Sequence, residues 1–415
     1  MDRTPFQYDG EIIADDEDVA QTAPFNGNPV DAYIDTHSKS IEPRIKKIPS
    51  ALRKRTINFS LEPNWYKRLI WRLKVDTQFL RMTVQYAFLL LCVWIGVEFY
   101  LFVQWGMGGG IAVNPGRPPG VEGFLPISAL MSLKYWALGG VINEIHPASI
   151  FILLAVLATS ILVKKAFCSW MCPIGTVSES LWMLGQKFFG KNLRVANWLD
   201  YPLRTLKYIL LLFFVYAIWQ MDVPALKNFI YSPYNKVADI KLYLFFAEIS
   251  SFALWTILAL AVLSVVIKNF WCRYLCPYGA LLGVLSFLSP LKITRKKSTC
   301  IDCELCTKAC PANITVHSAT RVWSDECTSC LQCVAVCPVK DTLELQTRKA
   351  EKPLPSWVFG ALVTGVFVAI TGLAMLTGNW QNRISEEEYR YRFQNIDSPV
   401  HQHMRGEVPK YGPND

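Results

Sequence analysis

The sequence predicts an α-helical polytopic membrane protein, with about five spans and an internal parallel repeat, joined to a small cysteine-rich α+β module. Three observations carry that expectation. Across 415 residues the chain is 52% hydrophobic and 13% aromatic but only 18% charged, too apolar for a soluble protein of its size. Five stretches, about 83–103, 147–163, 206–220, 251–267 and 356–376, approach the roughly 20 apolar residues that cross a bilayer. Twelve of the 13 cysteines fall into four short clusters. The apolar stretches are helix candidates because lipid offers the backbone no hydrogen-bond partners, so only helices or closed barrels cross it.

Taken in order, residues 1–35 are acidic and rich in turn formers, and 36–80 are basic and aromatic. Within the latter, Asn64-Trp-Tyr-Lys-Arg-Leu-Ile-Trp-Arg-Leu reads as an amphipathic interfacial helix, so 1–80 is expected to be a cytoplasmic tail. No early apolar run marks a cleavable secretory signal. The membrane domain follows at 81–290 and contains a repeated motif. Phe167-Cys168-Ser-Trp-Met-Cys172-Pro173-Ile-Gly175 and Trp271-Cys272-Arg-Tyr-Leu-Cys276-Pro277-Tyr-Gly279 share an aromatic residue, Cys-x3-Cys-Pro and a glycine, each directly after a span. Cysteines four apart on a helix share one face, and the proline ends or redirects the helix. The four thiols Cys168, Cys172, Cys272 and Cys276 are therefore expected to converge at one lip of the bundle. Four thiolates suit an iron–sulfur centre, zinc or Cu(I), and a redox-active dithiol is the other chemical option. The bland alternative is packing cysteines at helix ends.

Residues 298–346 hold the other two clusters. Cys300-Ile-Asp-Cys303-Glu-Leu-Cys306-Thr-Lys-Ala-Cys310-Pro311 and Cys327-Thr-Ser-Cys330-Leu-Gln-Cys333-Val-Ala-Val-Cys337-Pro338 have the ligand spacing of a bacterial two-cluster ferredoxin. In that pattern the fourth cysteine of each run serves the other cluster. The expected ligand sets are Cys300, Cys303, Cys306 with Cys337, and Cys327, Cys330, Cys333 with Cys310, each holding a [4Fe-4S] cluster. Zinc sites and disulfide frameworks do not call for two crossed runs ending in Cys-Pro. A last span at 356–376 and a polar periplasmic tail at 377–415 complete the dicluster ferredoxin-like membrane protein.

A net charge of +9 raises nucleic acid as a partner, but the basic residues gather beside apolar stretches and read as topology signals, with the bilayer as partner instead. Arg44, Lys46, Lys47, Arg53, Lys54 and Arg55 precede the first span; Lys164, Lys165, Lys187, Lys191 and Arg194 follow the second; Lys292, Arg295, Lys296 and Lys297 follow the fourth. Those loops, and with them the cysteine motifs, are expected on the cytoplasmic side of an inner membrane. The stretch 121–142 is nearly long enough to cross, yet crossing would put the basic loops on opposite sides, so a re-entrant or interfacial helix is expected there.

The order of spans, Cys-x3-Cys-Pro motifs, basic linker and two ferredoxin runs resembles the membrane-bound polyferredoxin family that includes NosR, NapH and the copper-reducing CcoG. The resemblance covers roughly 85–345. It implies a cytoplasmic-membrane protein whose two [4Fe-4S] clusters pass electrons between a quinol pool or cytoplasmic donor and a cytochrome or other respiratory subunit. That is an electron-transfer subunit of a quinol dehydrogenase-like oxidoreductase rather than a stand-alone enzyme. The alternatives are a copper reductase and assembly factor, or a redox-sensing regulator. The chain has no room before its first span for the flavin-bearing domain of NosR, and its tail is shorter than the immunoglobulin-like domain that ends CcoG.

Further candidates are single residues. Glu98, inside the first span, and His146, at the start of the second, are quinol or proton candidates because intramembrane ionisable groups are costly. His401-Gln-His403-Met404 offers copper ligands, against the plainer expectation of a polar tail. Cys92 reads as packing. Gly106-Met-Gly-Gly-Gly110 lacks the Lys-Ser/Thr of a phosphate loop and reads as a turn.

Overall fold

The computed structural model describes residues 52–54, 63–110, 113–347 and 353–402. The tail at 1–51, the segment 55–62, and His403 and Met404 of the copper candidate lie outside the described residues. Helix α1 (Trp65–Val75) starts where the Asn64 side chain accepts from the Tyr66 amide, and Asp76 ends it while capping α2 (Thr77–Met107) through the Gln78 and Phe79 amides. Two caps back to back set the junction between a surface helix and a 31-residue helix. Next come α3 (Pro126–Gly139), α4 (Pro147–Val163), α5 (Pro173–Phe189), α6 (Asn197–Gln220), α7 (Val223–Ile230), α8 (Ala238–Ala247), α9 (Ser251–Val266) and α10 (Pro277–Leu285). Strands β1 (Lys292–Arg295) and β2 (Leu343–Gln346) pair antiparallel, and α11 (Ser356–Leu376) and α12 (Glu386–Gln394) close the chain.

Of the five stretches read as spans, three fall in helices long and apolar enough to cross a membrane alone: α2, α6 and α11. Helices α8 and α9 make a fourth only if counted together, and they bend by 82° at their break. Helix α4 has 17 residues, bounded by Pro147 and by Lys164 at φ 63°. It is packed against α11, α3 and α10, with Ala148, Ala155, Val156 and Thr159 fully buried. Apolar composition marks a helix enclosed by protein as strongly as one facing lipid, which is why hydropathy alone ranks α4 with the others.

The stretch 121–142 forms a 3-10 turn at Pro119–Phe124 and then α3, whose 14 residues are too few to cross. Lys134 on α3 donates to the carbonyls of Ile218, Trp219 and Met221 at 3.0, 2.8 and 2.5 Å, placing a cation on the C-terminal end of α6. Helices α3, α7, α8 and α12 thus gather at one end of the bundle. There Phe102 of α2 meets Tyr389 and Phe393 of α12 edge-on at 5.1 and 5.7 Å. The strands and cysteine loops gather at the opposite end.

Helices around the two Cys-x3-Cys-Pro motifs pack crosswise. Helix α4, leading into the first motif, lies against α10, leaving the second; α9, leading into the second, lies against α5, leaving the first. Ser160 of α4 donates to the Leu282 carbonyl of α10 at 2.7 Å. Gly185 of α5 lets the α9 backbone approach so closely that a Cβ there would stand 1.9 Å from the Val265 oxygen. One core joins bundle and module: Val163, Ala166, Trp170, Phe359 and Val363 pack with Ile293, Val322, Leu331 and Leu343.

Candidate functional site: two cysteine pockets and a cysteine quartet

Each ferredoxin run turns through residues held at positive φ on either side of its middle cysteine. Asp302 (48°) and Glu304 (61°) flank Cys303; Ser329 (50°) and Leu331 (59°) flank Cys330. Side chains rarely adopt this conformation, and its repetition at matching positions curls each loop so that successive thiols point inward. Two pockets result, each with about 370 Å³ of atom-free space. One is lined by Cys300, Cys303, Cys306 and Cys337, the other by Cys310, Cys327, Cys330 and Cys333. These are the crossed sets expected from spacing. Burial, then the neighbouring Cys337 and Cys303, push the Cys306 thiol up to about 12; burial does the same to Cys330. Four thiolates gathered in one pocket call for a strongly cationic core to offset their mutual repulsion, so the donor set fits an iron–sulfur cluster.

The other four cysteines also converge. Burial pushes Cys168 up to about 11, with Lys165 opposing and Cys276 adding to it, and pushes Cys272 up to about 12, with Cys276 and Cys168 adding to it; Cys172 is raised well above its ordinary value by burial and then by Cys168 and Cys272. The glycine of each motif closes the turn: a Cβ on Gly175 would stand 2.2 Å from the Cys168 oxygen, and the Gly279 amide donates to Cys276 Sγ at 3.2 Å. Buried Lys165 lies within electrostatic reach of Cys168 and Cys276. Among the described residues no three His, Cys, Asp or Glu side chains close on a single metal ion. Tetrahedral zinc, with Zn–S near 2.3 Å, needs sulfurs about 4 Å apart. In closing on no single ion, the quartet is like the eight ferredoxin cysteines.

The motifs hold the module directly. Between Cys168 and Cys172, Ser169 Oγ donates to the Thr328 carbonyl at 2.7 Å and Trp170 Nε1 to the Ser329 carbonyl at 3.1 Å. Between Cys272 and Cys276, Arg273 donates to the Ala312 carbonyl at 2.5 Å while its guanidinium is fixed on Asp200 at 3.0 and 2.9 Å. Both loops that build the Cys310–Cys333 pocket are thus gripped, one by each motif, and that pocket is the inner of the two. Lys207 pairs with Glu326, and Tyr208 bonds Asp325, just before Cys327.

The remaining candidates are dispersed. Glu98 is half-buried and accepts from Trp94 Nε1 at 2.8 Å, beside the exposed Trp94, Val97 and Leu101. His146 is fully buried at the far end of the bundle, its Nε2 2.7 Å from the Asn235 oxygen and its Nδ1 3.3 Å from Arg117, which pairs with Glu122 and Asp239. His401 is buried against Arg392 and the Asn395 carbonyl. Cys92 is half-buried in α2. Sequence reasoning passed over Arg81, Glu179, Asp200, Lys207 and Glu326. Arg81 entering an apolar run, and Glu179 as the lone acid of α5, were the available signals.

Fold and site define an iron–sulfur electron-transfer protein built into a bundle of apolar helices. A 4Fe-4S binding domain model matches twice, at 145–192 and 250–296, over the two Cys-x3-Cys-Pro motifs, and a 4Fe-4S dicluster domain model matches 293–345. The chain is 42% identical over 315 residues to the "Putative electron transport protein YccM" of Escherichia coli, covering 75% of this chain and 88% of that one. It is 28% identical over 257 residues to the protein NirI of Paracoccus denitrificans, covering 61% of this chain and 35% of NirI. To the ferredoxin-type protein NapH of Haemophilus influenzae it is 25% identical over 177 residues, 41% of this chain and 56% of NapH. No solved structure matches. The chain belongs to this family of membrane-associated 4Fe-4S ferredoxin-type proteins and carries two [4Fe-4S] clusters.

Proposed function

We propose that the protein carries electrons along a line of three thiolate sites, from the outer pocket (Cys300, Cys303, Cys306, Cys337) through the inner pocket (Cys310, Cys327, Cys330, Cys333) to the quartet (Cys168, Cys172, Cys272, Cys276). Iron–sulfur clusters, when bound, supply one-electron storage at each pocket. The observation that carries this reading is the double grip on the inner pocket. Ser169 and Trp170 from one motif and Arg273 from the other bond its two loops, fixing pocket and quartet against each other without a mobile linker. Rigid mounting keeps the distance between redox sites short and constant. The quartet is read as a third iron–sulfur centre because its four thiols converge beside the inner pocket and, like the ferredoxin cysteines, close on no single metal ion.

The basic residues of the module end orient that end to the cytoplasm of an inner membrane, so the line runs between a cytoplasmic donor or the quinol pool and a membrane or periplasmic partner. Anaerobic purification in detergent, with iron and acid-labile sulfide counted per chain, tests the reading. Iron beyond that of two clusters, lost on Cys168→Ser or Cys272→Ser while the ferredoxin EPR signals remain, is the expected result. Iron for two clusters only, unchanged in those variants, defeats the quartet's assignment.

A further inference from the structure

A buried polar network beside the inner pocket takes no part in the route above. Gln78 Nε2 on α2 donates to the Cys330 carbonyl at 3.0 Å, and Gln78 Oε1 accepts from Arg81 Nε at 3.1 Å. The Arg81 guanidinium forks onto Glu179 of α5, both N–O distances 2.7 Å, and also reaches the Ser169 carbonyl at 3.2 Å. Glu179 further accepts from Gln85 at 2.9 Å and from Gln332, between Cys330 and Cys333, at 3.1 Å. Arg81 is 1% exposed. Taking an ion pair out of water costs free energy that well-packed apolar side chains would not, so holding the two helices together is a poor reason for such a pair here. Its placement is the better one, since the network touches both the inner-pocket loop and the turn between Cys168 and Cys172.

We infer that Arg81 sets the reduction potential of the inner cluster, and that Glu179 positions Arg81 and moderates its charge. This rests on the assignment of Cys310, Cys327, Cys330 and Cys333 as that cluster's ligands. Uptake of one electron there adds one negative charge, which the fixed guanidinium stabilises in a low-dielectric surrounding. Glu179 opposes this, but its charge is shared among Arg81, Gln85 and Gln332. Arg81 reaches the inner-pocket loop through Gln78 on the Cys330 carbonyl and also bonds the Ser169 carbonyl, whereas Glu179 reaches the loop through Gln332.

EPR-monitored redox titration of the purified protein tests the inference. Glu179→Gln keeps a hydrogen-bonding partner for Arg81 and should raise the inner cluster's midpoint potential. Adding Arg81→Gln leaves the site neutral, with no orphaned charge, and should shift the reduction equilibrium at least tenfold toward the oxidised form relative to Glu179→Gln alone, about 59 mV for a one-electron couple. The outer cluster should hold its potential in both. An inner potential unchanged from wild type in both variants overturns the inference. Cys330→Ser, made separately, tests the ligand assignment beneath it: if both cluster signals persist in that variant, the assignment fails whatever the charge variants show.

Discussion

At the scale of single residues, the two motif glycines separate positions that sequence alone treats as equals. Gly175 leaves no room, because a Cβ would stand 2.2 Å from the Cys168 carbonyl oxygen, whereas at Gly279 the nearest atoms are 3.5 Å or more away. Gly175→Ala should therefore force the first turn open at about 1–3 kcal/mol and reduce the iron bound at the quartet, while Gly279→Ala should retain it. Iron analysis and thermal unfolding of the two variants check this, and equal behaviour would show that the turns are not held as tightly as their contacts indicate. Burial also makes a prediction for the metal-free protein. With Cys168 raised to about 11 and Cys272 to about 12, their thiols stay protonated at pH 8 and should alkylate far more slowly than a free cysteine, speeding up only as pH rises toward those values. Fast alkylation at pH 8 would favour the dithiol relay. The cysteines were legible in the sequence because ligand spacing is a local property. Arg81 and Glu179 were not, because 98 residues separate the pair and only packing brings them together.

At the scale of elements, the junction between module and bundle is where stability and function coincide. Lys207 on α6 and Glu326 beside Cys327 form a buried pair, so Lys207→Met should cost about 3–5 kcal/mol by stranding the carboxylate, and Glu326→Leu added to it should recover part of that loss. Denaturant titration of the holoprotein in detergent distinguishes this from simple loss of packing, which would make the double variant worse than the single. Arg273 works differently. Its guanidinium is held by Asp200 and spends a third donor on the Ala312 carbonyl, a geometry that the ammonium of Arg273→Lys cannot reproduce. That variant should keep both clusters but slow reduction of the quartet by the inner cluster, measured by stopped-flow spectroscopy. Helix identity was readable from hydropathy, and α11 falls on the expected 356–376. The bounds of α4 and α9 were legible too, since the expected 147–163 and 251–267 match Pro147–Val163 and Ser251–Val266; what hydropathy missed is the enclosure of α4 among α3, α10 and α11 and the bend between α8 and α9, both tertiary facts.

At the scale of the whole molecule, sidedness follows from how the chain threads its own bundle. Gln78 at the start of α2 touches Cys330, and Phe102 near its end touches α12, so α2 runs from the module end to the far end. Helix α4 returns from the buried Arg117–His146 network to Lys164, which donates to the Val322 carbonyl; α6 leaves from Asp200, bonded to Arg273, and ends on Lys134. Both motifs, the module and the basic residues Lys187, Lys191 and Arg194 consequently share one end, whatever the number of spans counted by length. Since α3 keeps to the far end, the stretch 121–142 does not reverse that arrangement. The excess of Lys and Arg at the shared end is what the proposed cytoplasmic orientation rests on. Reporter fusions after Lys191 and after Gln346 should both be active with a cytoplasmic reporter and silent with a periplasmic one, and a fusion after Val141 should give the opposite pattern. A periplasmic signal at Lys191 or Gln346 would invert the proposed orientation and, with it, the side from which electrons enter the outer pocket.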